Sequence, residues 1–259
     1  ISHPLTTKLV TSMTDDAPFF TTGTDRKGPW LIACDHASNH VPNAVNNSSL
    51  GLTKDDMHRH IAYDLGAKGL SQSLGIILDA PVLCSNFSRL VIDPNRGEDD
   101  PTLLMKLYDG TIIPGNHKSD TAELNKRIRN YYRPYHQAYS KLAARRRAIL
   151  AVHSFTPQLR GHPPRPWEVG VLFGQDRRLA DAVIAGLRLK EDLIIGVNEP
   201  YAGHLPGDSI DQHAQSNNKL NVLIEVRNDL IKTISEQNAW ARFLAPVLQK
   251  ALLDAEANF

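Results

Sequence analysis

The sequence predicts an α/β fold in three layers, a mostly parallel sheet with helices on both of its faces. Two features point there. Short continuous apolar runs, lacking the polar alternation of a half-exposed strand, mark strands buried on both sides. Longer amphipathic segments separate those runs, the alternation that a parallel sheet requires for its crossovers.

Pro29 to Cys34 is the first apolar run, and it stops abruptly at Asp35-His36. Thr53-Lys54-Asp55-Asp56 has capping-box form and opens a helix expected to run to about residue 74, with Ile61, Leu65, Leu70 and Leu74 inward. Gly75 should end it, after which Ile76 to Leu78 and Val82 to Cys84 read as strand. Leu90-Val91-Ile92 is a further short apolar run before a loop rich in Gly, Pro and acidic residues. A strongly helical stretch spans about 119–147, and its closing Arg145-Arg146-Arg147 suits the negative end of a helix dipole. Ile149 to Val152 reads as a strand ending at His153, and Val169 to Phe173 as the next. A helix from Arg177 to Leu189, a strand from Leu193 to Val197 and a strand from Val222 to Val226 follow, with a last helix from about Ser235 to Leu253. No repeat or low-complexity linker interrupts the chain, so residues 1–259 are expected to form one α/β domain.

Composition narrows the function. With Lys+Arg 29 against Asp+Glu 28, the chain has no general attraction for nucleic acid or an acidic membrane, so any basic site is a local pocket. No apolar run approaches the ~20 residues of a membrane span. The opening Ile-Ser-His-Pro lacks the charged start and apolar core of a signal peptide. Cys34 and Cys84, each ending an apolar run, read as buried reduced thiols, which makes the cytoplasm the expected compartment. There is no Gly-x-Ser-x-Gly elbow, phosphate loop or dinucleotide fingerprint.

In an open α/β sheet, ligands gather beyond the carboxyl ends of the strands. The polar residues at the strand ends are therefore the candidates: Asp35-His36 after the first run, His153 after the run ending at Val152, and Glu225 held in the last strand. Two histidines at different strand ends are candidate metal ligands, since imidazole binds a cation without losing a formal charge. A catalytic zinc site takes three protein ligands and leaves a position for water. His60 and Asp64, four residues apart on the expected helix, share one face, so either is a third ligand with the other as its outer partner. His60, nearer the helix start, is preferred on position alone. Asp35 is a candidate outer partner of His36. Each of these histidines, taken alone, also reads as a residue that bonds a carbonyl or faces solvent.

Glu225 lies between Ile224 and Val226 inside an apolar strand, where an unpaired carboxylate costs several kcal/mol. It is either ion-paired with Arg227, two residues on and therefore on the same strand face, or a general base facing a wet site. Arg89 and Arg96 flank Leu90 to Ile92 and suit a substrate carboxylate, which a guanidinium holds through two parallel hydrogen bonds. The plainer alternative for either is a surface salt bridge to Asp93 or Glu98. Arg227 is a further candidate.

Cys34 through Pro42, His60 through Ala67 and Ser88 through Arg96 resemble the N-formylglutamate amidohydrolase family in content and order, as do Asn198 through Tyr201, His213 and Leu223 through Ile231. The resemblance implies a mixed sheet similar to that of zinc-dependent exopeptidases and cell-wall amidases. It also implies hydrolysis of N-formylglutamate to formate and glutamate, a step of histidine breakdown. By matching position, His36 and His153 would be metal ligands, the block from His60 to Asp64 would give the third, and Glu225 would be the general base. The matched blocks add Asn95 and His213 to the substrate-binding candidates Arg89, Arg96 and Arg227. The expected cofactor is thus a divalent metal of zinc type, and the expected partner a small acidic substrate. His-Ala-Ser-Asn stands where the family has a Pro-His-Ser-Gly type of sequence, which places the chain on a divergent branch. Two rival functions remain. A peptide or cell-wall amidase would have a leader and a long groove, and a non-catalytic carboxylate-binding module would keep the arginines and lack the metal.

Overall fold

The computed structural model describes residues 16–203 and 205–257; the opening segment read above for a leader lies outside them. Its strands are β1 (Phe19–Thr22), β2 (Trp30–Cys34), β3 (Val82–Ser85), β4 (Leu107–Tyr108), β5 (Thr111–Ile112), β6 (Ala148–Phe155), β7 (Val169–Leu172), β8 (Ile195–Val197) and β9 (Leu220–Arg227). Its helices are α1 (Lys54–Met57), α2 (Ala67–Ile77), α3 (Pro114–His117), α4 (Thr121–Arg127), α5 (Arg133–Ala143), α6 (Arg178–Leu187), α7 (Ser209–His213) and α8 (Ile234–Ala257).

Seven strands form one sheet in the order β1-β3-β2-β6-β9-β7-β8, and β4 and β5 pair as a separate hairpin. The four central strands β3, β2, β6 and β9 are mutually parallel, while β1 runs antiparallel to β3 and β7 antiparallel to β9, with β8 parallel to β7. The sheet is therefore mixed but mostly parallel. All four central strands deliver their carboxyl ends to one edge. Alternate residues feed two cores, as the two-residue period of a strand requires. Ile32, Cys34, Leu150, Val152 and Ile224 pack with Leu70 and Leu74 of α2, Leu179 of α6 and Leu244 of α8. Leu31, Ala33, Ile149 and Ala151 pack on the other face with Tyr135 and Tyr139 of α5. Burying one such large apolar side chain contributes about 1.5–3 kcal/mol, which is why an edge of fixed geometry survives beneath a polar site.

The helix expected from Thr53 to about residue 74 is broken. Thr53 does cap α1, accepting from Asp56 N at 3.0 Å, but α1 has only four residues. The chain then turns through 58–66, and α2 starts at Ala67. Gly66 adopts φ 81°, and a Cβ there would lie 2.2 Å from the Ile231 carbonyl oxygen, so glycine permits both the turn and the close approach. His60 and Asp64 consequently do not share a helix face; the turn instead anchors Asp64 by its backbone N–H to the His36 carbonyl at 2.9 Å. Ile76 and Ile77, read as strand, complete α2, and Ile76 faces solvent. The expected 119–147 helix is α4 and α5 joined by a wide π-helical turn, Ile128–Tyr132. Pro134, in the first turn of α5, offers no N–H and would clash with the carbonyl of a regular preceding turn.

Leu90, Val91 and Ile92 form no strand; they are fully buried in a turn. Arg127, itself buried, ties that turn down by donating from Nη1 to the Val91 carbonyl at 2.9 Å and to Asn116 Oδ1 at 2.7 Å. Ser88 Oγ and Arg89 N both donate to the Ala62 carbonyl, at 2.7 and 3.2 Å. The segments carrying Asp64 and Asp93 are thus fastened together over the sheet edge. Among the described residues no helix is long and apolar enough to cross a membrane.

Candidate active site

His36 follows β2, His153 lies near the end of β6, and Glu225 lies near the end of β9. His153 and Glu225 are register partners on adjacent parallel strands, so their side chains rise from the same face. Gly170 of β7 stands opposite Glu225. A Cβ at Gly170 would lie 2.3 Å from the Glu199 carbonyl oxygen and 3.3 Å from Glu225 Cβ, so the site needs glycine there.

Asp64 joins the two histidines. Its Oδ2 lies 3.3 Å from His36 Nδ1 and 2.9 Å from His153 Nδ1, and it accepts from the Ser154 backbone N–H at 3.3 Å. One ligand atom from each of His36, Asp64 and His153 falls within 4.8 Å of the others, the one such buried group among the described residues. Of the two sequence candidates for a third ligand, it is Asp64 that stands in this cluster. His60 lies on the cavity wall with Nε2 3.4 Å from Asp109 Oδ2.

The far side of each imidazole meets a second carboxylate. His36 Nε2 lies 2.7 Å from Asp93 Oδ1, and His153 Nε2 lies 3.4 Å from Asp35 Oδ2 without good hydrogen-bond geometry. Asp35 is held in turn by the Tyr135 hydroxyl. A proton kept on Nε2 leaves Nδ1 of each ring as the lone-pair donor, aimed at the shared centre. Arg89 donates from Nε and Nη2 to Asp93 Oδ2 at 3.1 and 2.7 Å, and its Nη1 sits 3.6 Å from Asp64 Oδ1.

These contacts set the charges. Burial drives carboxyls up, but His36 and His153 overcome it at Asp64 and hold that group well below the usual carboxylate range. At Asp93 burial is again outweighed, here by Arg89 and His36. Burial also works against a charged His153, yet Asp35 and Asp64 hold its pKa well above that of free imidazole. Glu225 goes the other way: burial pushes its carboxyl up to about 7, the Asp64 charge adding and the His153 charge opposing.

Two imidazole nitrogens and a carboxylate oxygen form a donor set that suits a divalent transition-metal ion. Glu225, which lines the same cavity as His36, Asp64 and His153, has a buried Oε2 without a hydrogen bond among the described residues. An unsatisfied carboxylate oxygen of this kind costs free energy in a closed protein, and the water of a bound cation relieves it. The residues present therefore fit such a group.

The cluster floors a cavity of about 400 Å³ whose wall includes Arg89, Asn95, Arg96, Tyr108, Tyr201 and Asp208. Arg89 is spent on Asp93 and Asp64, so the salt bridge read from sequence as a surface feature is a buried one. Arg96 donates from Nε to Thr102 Oγ1 at 3.1 Å and from Nη1 to its neighbour's carbonyl at 2.7 Å, and it forms no ion pair among the described residues. Asn95, on the cavity wall, accepts at Oδ1 from Ser209 N at 3.1 Å. Arg227 pairs not with Glu225 but with Asp229, at 2.8 Å. In the sequence Asp93 is visible only as a salt-bridge partner of Arg89 or Arg96, not as a member of this site. Tyr108 carries no such signal, and Tyr201 only its place in the matched block from Asn198.

His213 sits elsewhere, on α7, where its Nε2 lies 2.8 Å from His136 Nδ1 and its ring stacks on Tyr139 at 4.1 Å. Burial lowers the pKa of His136 to about 4 and of His213 to about 3, from 6.5. Because the unfolded chain binds more protons than the folded one between these values, this pair's stability is complete above pH 6.5 and is lost as pH falls toward 4. The urea midpoint should fall between pH 7 and pH 5 by the equivalent of about 2–4 kcal/mol. A His136→Gln, His213→Gln double variant should flatten that part of the profile; an unchanged slope would assign it to other groups.

The family model described as N-formylglutamate amidohydrolase matches residues 28–232. A crystal structure of a gene product from Agrobacterium tumefaciens is 35% identical over 93% of this chain and 97% of its own, with a TM-score of 0.86. The N-formylglutamate amidohydrolase from Ralstonia eutropha is 21% identical over 93% of this chain and 99% of its own, with a TM-score of 0.68, and shares the fold. No curated protein matches the sequence.

Proposed function

We propose that this chain, which belongs to the N-formylglutamate amidohydrolase family, is a metal-dependent amidase that removes an N-formyl or related N-acyl group from a small carboxylate-bearing amino acid. N-Formylglutamate, giving formate and glutamate, is the substrate that the family's description suggests. One observation carries the proposal: His36, Asp64 and His153 converge on a single centre, while Glu225, the register partner of His153, shares their cavity with its buried Oε2 unbonded among the described residues.

His36, Asp64 and His153 would hold a divalent ion, zinc by donor type. When bound, such an ion supplies Lewis acidity, lowering the pKa of a water and polarising an acyl oxygen. Glu225, poised by burial to change protonation near neutrality, accepts the proton of the attacking water. The water oxygen bonds to the acyl carbon, the C–N bond breaks, and Glu225 returns the proton to the leaving nitrogen. Asp93 and Asp35 keep the imidazoles oriented. Arg89, saturated by carboxylates, positions Asp93 and Asp64, while Arg96 and the Asn95 amide meet the substrate.

The decisive experiment couples elemental analysis of the purified protein to a formate-release assay on N-formyl amino acids. Stoichiometric ion, loss of turnover on chelation and its recovery with zinc are expected; full turnover by the ion-free protein would refute the proposal. A carboxylate-binding module without chemistry would contain no stoichiometric ion. The orientation role of Asp93 has its own test. Asp93→Asn should weaken zinc affinity about 10–100-fold, and an unchanged affinity would dismiss the role.

A further inference from the structure

Among the described residues, the guanidinium groups lining the cavity are those of Arg89 and Arg96. Arg89 is committed to Asp93 and Asp64, whereas Arg96 forms no ion pair among the described residues. A third guanidinium lies against the wall. Arg165 is half-buried, and it packs on Phe155, Thr156 and Tyr201, all of which line the cavity. Its guanidinium is 5.0 Å from the centre of the Tyr201 ring and 5.8 Å from that of Phe155. Its Nη1 donates to the Thr156 carbonyl at 3.1 Å and to the Tyr201 hydroxyl at 3.2 Å. Both bonds leave from one nitrogen, and Arg165 forms no ion pair among the described residues. Its Nε and Nη2 edge, the edge by which Arg89 grips Asp93, makes no bond to any of them and keeps two parallel donors for a carboxylate.

The segment that carries Arg165 is held in place. Pro163, Pro164 and Pro166 surround it and restrict its backbone, and its own N–H donates to the Pro157 carbonyl at 2.8 Å. Arg227, paired with Asp229, donates from Nη1 to the carbonyls of Pro166 and Trp167 at 3.4 and 3.3 Å, so it braces this loop. The Arg165 charge also reaches the cavity wall: burial is the main cause that lowers the His60 pKa, Asp109 opposes it, and Arg59 and then Arg165 add to it.

We infer that Arg165 is a specificity-determining residue, receiving the side-chain carboxylate of an N-acyl dicarboxylic amino acid while Arg96 receives the α-carboxylate. This inference rests on the amidase reading above and assigns the residue that separates acidic from neutral substrates. The α-carboxylate is one carbon from the scissile nitrogen, so its holder belongs near the metal ligands. Arg96 meets that demand, since its charge helps to hold down the carboxyl of Asp93, the partner of His36, after the larger effects of Arg89 and His36. The side-chain carboxylate reaches farther. Thr156, on which Arg165 rests, is three residues beyond His153, on the order of 10 Å along extended chain.

The test compares kcat/KM of the zinc-loaded protein for N-formyl-L-glutamate with that for the nearly isosteric, uncharged N-formyl-L-glutamine. The parent should favour the glutamate derivative by about 10–100-fold, the scale of a hydrogen bond to a charged group. Arg165→Gln should collapse that ratio toward one, chiefly by raising KM for the glutamate derivative, and Arg165→Lys should restore part of it. If Arg165 only braced Tyr201, its loss would lower both substrates in parallel and leave the parental ratio, which overturns the inference. Calorimetry with N-acetyl-L-glutamate and N-acetyl-L-glutamine measures the same preference without turnover. Tighter binding of the glutamate derivative by the parent, lost in Arg165→Gln, supports the inference. Equal binding of the two by the parent, no binding of either, or a preference that survives the substitution overturns it. Binding with the expected pattern but no hydrolysis of any N-acyl amino acid would sink the amidase reading alone.

Discussion

Glu225→Gln is expected to reduce turnover about 10²–10⁴-fold while metal content and fold stay intact. Gln is nearly isosteric with Glu, so the packing against Gly170 and the register with His153 are kept. What it loses is the ability to take a proton. Burial already places the Glu225 carboxyl at about 7, where the neutral form is cheap, so the variant should fold at least as well as the parent. A structural role would give the opposite pattern, a lower melting temperature with turnover preserved per folded molecule. Steady-state kinetics, zinc analysis and thermal melting on one preparation separate the two, and a variant with parental kcat removes Glu225 from the chemistry.

The layered sheet was legible in the sequence because its signal is local. Ile149 to Val152 and Val222 to Val226 can be nothing but buried strand, and β6 and β9 extend them by only a few residues at either end. His153 and Glu225 were visible for the same reason, one a polar residue closing an apolar run and the other a charge set inside one. The break between α1 and α2 was not. Its helical spacing of Ile61, Leu65 and Leu70 is genuine, but the conformation there is decided by Gly66 against Ile231, a contact spanning far more chain than any periodicity does. The antiparallel entry of β7 beside β9 and the π-helical turn before Pro134 likewise depend on partners distant in sequence. At the site, the sequence offers Arg89 and Arg96 as candidates for a substrate carboxylate, with Arg227 as a further one. Only tertiary placement gave Arg89 to Asp93 and Asp64, gave Arg227 to Asp229, and left Arg96 facing the cavity.

The second large effect concerns the residue that the broken helix put in reach of the histidines. Asp64→Asn should cost the protein its stoichiometric metal and lower turnover by more than about 10³-fold, beyond the 10–100-fold that losing an outer partner costs. The amide keeps the size of the carboxylate and can still accept from the Ser154 N–H, so the turn at 58–66 should hold, as far-UV circular dichroism would verify. Its charge, however, is gone, and with it the anion between His36 Nδ1 and His153 Nδ1. His60→Ala is the necessary contrast. His60 is bound toward Asp109 at the cavity wall, so its removal should leave zinc affinity within a few-fold of the parent and register chiefly in KM. Zinc retained by Asp64→Asn but lost by His60→Ala would move the third ligand to His60 and require the 58–66 turn to rearrange when the ion binds.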